Sequence, residues 1–215
     1  SALLDPSLQL ANSAGQIIAA NDNWMDDPDQ AEAIMQSGLA PSDPRESAII
    51  GSLAPGAYTA IVNGVDGTQN IALVEVYDLD STNGTQLLNI STRAFVDSDD
   101  GVMIAGFIIG GTNSETVVIR GLGPSLANGI SPVTDPLADP VLTLVDANGT
   151  TLAANQNWQD TQADDIIAAG LALPNELESA ILITLPPGNY TAILFDANGG
   201  TGVALIEVYN ITGNQ

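Results

Sequence analysis

The sequence predicts a mainly β protein: two homologous antiparallel β-sandwich modules, jelly-roll-like, with one short helix each, joined by a β-rich segment. Three observations carry this. One set of motifs occurs twice, once at each end. Short runs rich in Val, Ile, Leu and Phe alternate with Gly, Pro, Asn and Asp turn signals. Only one short helical pattern interrupts each copy.

Along the first copy, Leu8 and Leu10 alternate with polar residues as a half-buried strand does. An Asn/Gly turn then leads into a second strand. Asp27-Pro28 has the form of a helix start, Ala31, Ile34 and Met35 supply one apolar face, and Gly38 ends it. Pro55-Gly56 precedes a strand over Ala57–Val62, and Gly67 precedes one over Ile71–Tyr77. Three more strands follow, at Leu87–Val96, Val102–Gly110 and Glu115–Gly121, with turns at Asp97–Gly101 and Gly110–Asn113. The second copy repeats the first, its helix marked by Thr161, Ile166, Ile167 and Gly170.

The repeat has three blocks in the same order. Asp5-Pro-Ser-Leu-Gln-Leu to Ala-Asn-Asp-Asn-Trp24 matches Asp139-Pro-Val-Leu-Thr-Leu to Ala-Asn-Gln-Asn-Trp158. Glu46-Ser-Ala-Ile-Ile and Leu53-Ala-Pro-Gly-Ala-Tyr-Thr-Ala-Ile61 match Glu178-Ser-Ala-Ile-Leu and Leu185-Pro-Pro-Gly-Asn-Tyr-Thr-Ala-Ile193. Ala72–Tyr77 matches Ala204–Tyr209. The layout is module A at 1–80, a linker at 81–86, a unique segment at 87–136 expected to pack with the modules, and module B at 137–215.

These motifs resemble the bacterial pre-peptidase C-terminal type of β-sandwich. They resemble still more a repeat of large secreted proteins of Verrucomicrobia-like bacteria. In that repeat a stretch similar to Leu88-Asn-Ile-Ser-Thr-Arg-Ala94, Gly106-Phe-Ile-Ile109 and Val118-Ile-Arg-Gly-Leu-Gly-Pro-Ser125 precedes the sandwich. The resemblance covers nearly the whole chain. It implies an extracellular accessory or surface module and brings no catalytic residues. This chain departs from the usual order, because module A has no unique segment ahead of it.

Composition narrows function further. With three Arg, no Lys and 26 acidic residues the formal net charge is −23. Such a surface repels nucleic acid and anionic membranes, and no 18-residue apolar run offers a membrane insertion. The 215 residues include no His and no Cys, which removes the usual general base and the usual thiolate chemistry. Gly121-Leu-Gly-Pro-Ser does not open a phosphate-binding helix, and no nucleophile motif is present. We expect no enzyme. A start at Ser1 without a leader-like stretch is expected for a mature, secreted chain.

Calcium is the one cofactor that suits the composition, since Asp, Asn and backbone carbonyls ligate it without His. The clusters are Asp22, Asn23 and Asp26, then Asp97 and Asp99. The alternative is that these residues make turns and helix caps. Over the stretch equivalent to Asn21–Asp27, module B lacks two carboxylates. Arg93 and Arg120 lie on expected strands of the unique segment, while Glu75 and Glu207 occupy one position of the repeat. An acid on the same strand face as Leu73 and Tyr77 needs a partner, so the two Arg are expected to pair with the two Glu. Trp24, Trp158, Tyr58 and Tyr190 are expected as aromatic anchors over the sandwich ends rather than as a sugar platform.

The expected function is that of an extracellular structural protein at the cell surface, self-assembling into a fibre, filament or surface layer by head-to-tail strand addition, its partner being copies of itself. A monomeric adhesin or glycan-binding module is the alternative.

Overall fold

The computed structural model describes residues 1–79, 87–98, 101–128 and 132–212. The linker expected at 81–86 lies outside them, as does Asp99. The chain divides into two units, Ser1–Thr85 and Gln86–Gln215.

In the first unit, β1 (Pro6–Asn12) lies between β2 (Ile17–Asn21) and β3 (Tyr58–Gly64), antiparallel to both. The β1–β2 turn is closed by Asn12, whose Oδ1 accepts from the N–H groups of Ala14 and Gln16. Helix α1 (Pro28–Ser37) starts where expected. The Asp27 carboxylate accepts from the N–H groups of Asp29 and Gln30, and Gly38 ends the helix at φ 77°. Ala31 and Ile34 are buried against Trp24, Ala48 and Ile50. Met35, expected on that face, is 56% exposed, because the three-residue cluster offers room for one narrow stripe only.

The expected strand over Ile71–Tyr77 differs in the structure. Ile71 makes a single parallel bridge with Ala2, and residues 72–79 carry no strand. Among the described residues no backbone hydrogen bond involves residues 72–77. The physical reason is the lack of a neighbour: a strand is held by its ladder, and here no strand lies alongside. Leu73 is 82% exposed as a result.

The second unit is a sandwich of two four-stranded antiparallel sheets. Its strands are β4 (Asn89–Val96), β5 (Met103–Ile109), β6 (Glu115–Leu122), β7 (Pro140–Asp146), β8 (Thr151–Asn155), β9 (Ser179–Leu185), β10 (Gly188–Asp196) and β11 (Gly202–Asn210), with α2 at Ala163–Ala168. One sheet runs β5-β10-β7-β8 and the other β4-β11-β6-β9. Val96, Ile119, Leu142, Leu194 and Ile206 are buried between them. Each such side chain is worth about 1.5–3 kcal/mol relative to exposure. Helix α2 is shorter than α1 because module B lacks the Asp-Pro start and Gln162 provides no side-chain cap.

The segment at 87–136 is built into both sheets of this sandwich. β5 lies beside β10, and β4 and β6 flank β11. β9 has β6 as its neighbour in the sheet. Without the segment, β11 and β9 would have no sheet, which is the condition of the equivalent stretches in the first unit.

Candidate functional site

Two acids that recur in the repeat show what the middle segment supplies. The first is Glu207 on β11. β6 sets Arg120 directly opposite it. Arg120 donates from Nε to Glu207 Oε2 at 2.9 Å, and its NH2 group forms an ion pair with the same carboxylate. Arg120 also donates to the Leu171 carbonyl at 3.2 Å and lies over the Tyr209 ring, 5.0 Å from its centroid. The side chains of Arg120 and Glu207 are only 14% and 12% exposed. Tyr209 donates to Glu207 Oε1 at 3.0 Å. Burial, followed by the Glu207 charge, raises the Tyr209 pKa above its ordinary value of 10.0.

The second is Glu178, fully buried. Its Oε1 accepts from the N–H groups of Gly123 (3.1 Å) and Ser125 (2.9 Å) and from the Ser125 hydroxyl. The Gly-Leu-Gly-Pro-Ser turn is thus an anion cradle whose anion is the protein's own carboxylate. Only glycine fits at 123, since a Cβ there would lie 2.2 Å from the Leu137 carbonyl oxygen. Sequence reasoning missed Glu178. The signal available was its identity with Glu46 in the repeat.

In the first unit the same two acids have no such partners. Tyr77 still donates to Glu75 Oε1, at 3.1 Å, and this bond raises the Tyr77 pKa. No cation accompanies Glu75 among the described residues. Glu46 is exposed, and among the described residues its carboxylate accepts only from the Asp43 N–H, at 3.3 Å. Asp43 and Arg45 form a local exposed pair at 2.8 Å, with the Arg45 guanidinium holding the Asp43 carboxyl at about 2.

The structure therefore brings Arg120 and Glu207 together, while Arg93 and Glu75 lie in different units. Arg93 is exposed on β4 and has no ion pair among the described residues. Trp24 and Trp158 are both buried, at 7% and 4% exposure. Trp158 donates to the Asn175 carbonyl at 3.1 Å, whereas the Trp24 N–H has no partner. Tyr58 and Tyr190 make equivalent bonds to the carbonyls of Ala54 and Pro186, at 2.8 and 2.7 Å. Tyr190 in addition stacks on Phe107 from β5, with centroids 5.6 Å apart.

Asn23 donates to Asp26 Oδ2 at 3.2 Å, Asp22 is exposed, and Asp97 accepts from the Ser98 N–H at 2.8 Å. Among the described residues no three Asp or Glu side chains gather as a metal-holding group. No helix of the described residues is long and apolar enough to cross a membrane.

No family model and no curated protein matches the chain. Among solved structures, the chain is similar to the pre-peptidase C-terminal domain of a collagenase from Bacillus anthracis, with 15% identity and a TM-score of 0.36 over 56% of this chain and 89% of that one.

Proposed function

We propose that the chain is an extracellular structural protein, the subunit of a filament or surface layer that grows by head-to-tail strand addition between copies. The observation that supports this is the unequal state of two homologous modules. The second unit is a closed sandwich completed by the strands at 87–136. The first has one three-stranded sheet, with Ile71, Leu73, Val74, Val76 and Tyr77 exposed beside it. An unpaired apolar strand is a template for another chain. A contact between unlike faces propagates unless it closes into a ring. With no Cys in the sequence, such a joint is non-covalent, and main-chain pairing and apolar burial are its main sources of affinity.

Sedimentation and negative-stain microscopy of the full chain test this. We expect filaments or long oligomers that grow with protein concentration. Added salt should favour them by screening the −23 net charge. Calcium, the cofactor suited to the acidic surface, would lower the concentration required. Uniform monomers at high concentration in high salt would overturn the proposal.

A further inference from the structure

The first unit displays two things on one stretch: unpaired main chain over residues 72–77, and a carboxylate, Glu75, on the outward face. The repeat sets that face. Ala204, Ile206 and Val208 of β11 are buried in the sandwich core, so Leu205, Glu207 and Tyr209 point outward. Leu73, Glu75 and Tyr77 are their equivalents. The Tyr77–Glu75 bond brings these two side chains to one side of the chain.

The second unit displays the complement. β4 is the edge strand of its sheet. The Asn210 N–H donates to the Leu88 carbonyl at 3.0 Å, which sets the alternation along β4. Leu88, Ile90, Thr92 and Ala94 aim their main-chain groups at β11. Asn89, Ser91, Arg93 and Phe95 aim theirs at the free edge. Side-chain direction follows from the same ladder. Ile90, Thr92 and Ala94 lie opposite the core-facing Val208, Ile206 and Ala204, so Ser91, Arg93 and Phe95 face outward. Phe95 is 54% exposed. Of the three cations in the sequence, Arg45 and Arg120 are already paired, which leaves Arg93.

We infer that residues 72–77 of one copy add antiparallel to the free edge of β4 in a second copy, with Glu75 opposite Arg93. This rests on the head-to-tail reading above and specifies its joint. The register makes every position agree. Leu73 meets Phe95 and Tyr77 meets Ser91 on the outward face. Val74 meets Ala94 and Val76 meets Thr92 on the inward face. A shift by one residue would set Glu75 on the wrong face and lose all of these at once. Each copy thus has one donor side, the free edge of β4, and one acceptor side, residues 72–77. Growth by this contact leaves the second unit's own sandwich intact.

The chain has no cysteine, so a designed pair reads the register directly. In the variant carrying both Tyr77→Cys and Ser91→Cys, mild oxidation should give a ladder of covalent dimers, trimers and longer species. A cross-link closed within a single chain, with no ladder, would overturn the inference. In parallel, Arg93→Glu should raise the concentration needed for assembly on the order of tenfold or more, through like charges placed opposite each other. Glu75→Arg should do the same by removing the only match for Arg93. The double variant Arg93→Glu with Glu75→Arg should restore assembly. All four substituted side chains are exposed or half-exposed, so folding of each unit, followed by circular dichroism, should be unchanged. Assembly of the wild type with no ladder and no charge rescue would remove this joint and leave the head-to-tail reading standing. A wild type that never assembles would remove that reading itself.

Discussion

Ala72–Tyr77 and Ala204–Tyr209 differ at one residue, Val74 against Ile206. One is exposed and unpaired; the other is β11, flanked on both sides in a four-stranded sheet. Local sequence is therefore not what separates them. The neighbours are. β4 and β6 pair with β11, Arg120 neutralises Glu207, and the turn at 121–125 takes up Glu178. The first unit keeps most of the local bonds of the second, although the Trp24 N–H lacks the carbonyl partner that Trp158 has in Asn175. The Asn12 and Asp146 turns match, the anchors Asn21 and Asn155 match, and Gln30 and Gln162 each accept a backbone N–H from the stretch that follows the helix. What it lacks is everything that the middle segment brings.

The most direct way to break this comparison is to supply what is missing. A chain with a second copy of residues 87–136 placed ahead of Ser1 should complete the first unit. Hydrogen exchange over residues 72–77 should slow by on the order of a hundredfold or more, as unpaired amides enter a ladder. Unchanged exchange would mean that the two modules differ for reasons internal to module A. The same chain should stop assembling, because its acceptor side is filled.

Smaller effects should follow the partners one at a time. Glu178→Ala orphans the Gly123 and Ser125 N–H groups and leaves a buried void. It should cost the second unit about 3 kcal/mol in denaturant unfolding. Glu46→Ala, at the exposed equivalent, should stay within about 0.5 kcal/mol. Equal losses would show that the burial difference carries no energy.

Arg120→Met should cost about 2–4 kcal/mol, since it strands a largely buried carboxylate. Arg93→Met should leave the stability of either unit unchanged to within about 0.5 kcal/mol. An indifferent Arg120→Met would mean that Glu207 tolerates isolation, and hence that Glu75 needs no cation either.

The smallest effect is alkaline. The folded-state pKa of Tyr209 is raised by burial and by Glu207, so its contribution is whole below the unfolded tyrosine value of about 10 and is lost as pH rises through the folded value. Above about pH 10 the wild-type second unit should lose stability more steeply than Tyr209→Phe does. Parallel curves would contradict the environment assigned to that hydroxyl.

Much of this was legible in the sequence, for identifiable reasons. The repeat exposed the two modules, and the scarcity of cations drew attention to Arg120 and Glu207. Asp27, Pro28 and Gly38 announced α1 by local capping chemistry. Three things were not legible. Glu178 is held mainly by backbone N–H groups, which have no letter in a sequence. Met35 fits the helical period yet faces water, because only the size of the Trp24 cluster decides how wide the buried stripe is. Ile71–Tyr77 has every local mark of a strand, but pairing is non-local, and the partner's presence is not encoded in the strand.

The hexapeptide Ala72–Tyr77 has a further consequence. It contains no Pro or Gly, has high β-propensity and carries one charge, the composition of segments that stack with their own kind into cross-β aggregates. Glu75 is then a gatekeeper, the single residue that penalises in-register stacking of identical strands by repulsion. Its replacement by a neutral residue should turn ordered growth into amorphous or amyloid-like deposit, read by thioflavin fluorescence. A cell that made this chain would need to hold it dilute, or shield the hexapeptide with a holdase chaperone, to keep such stacking from starting.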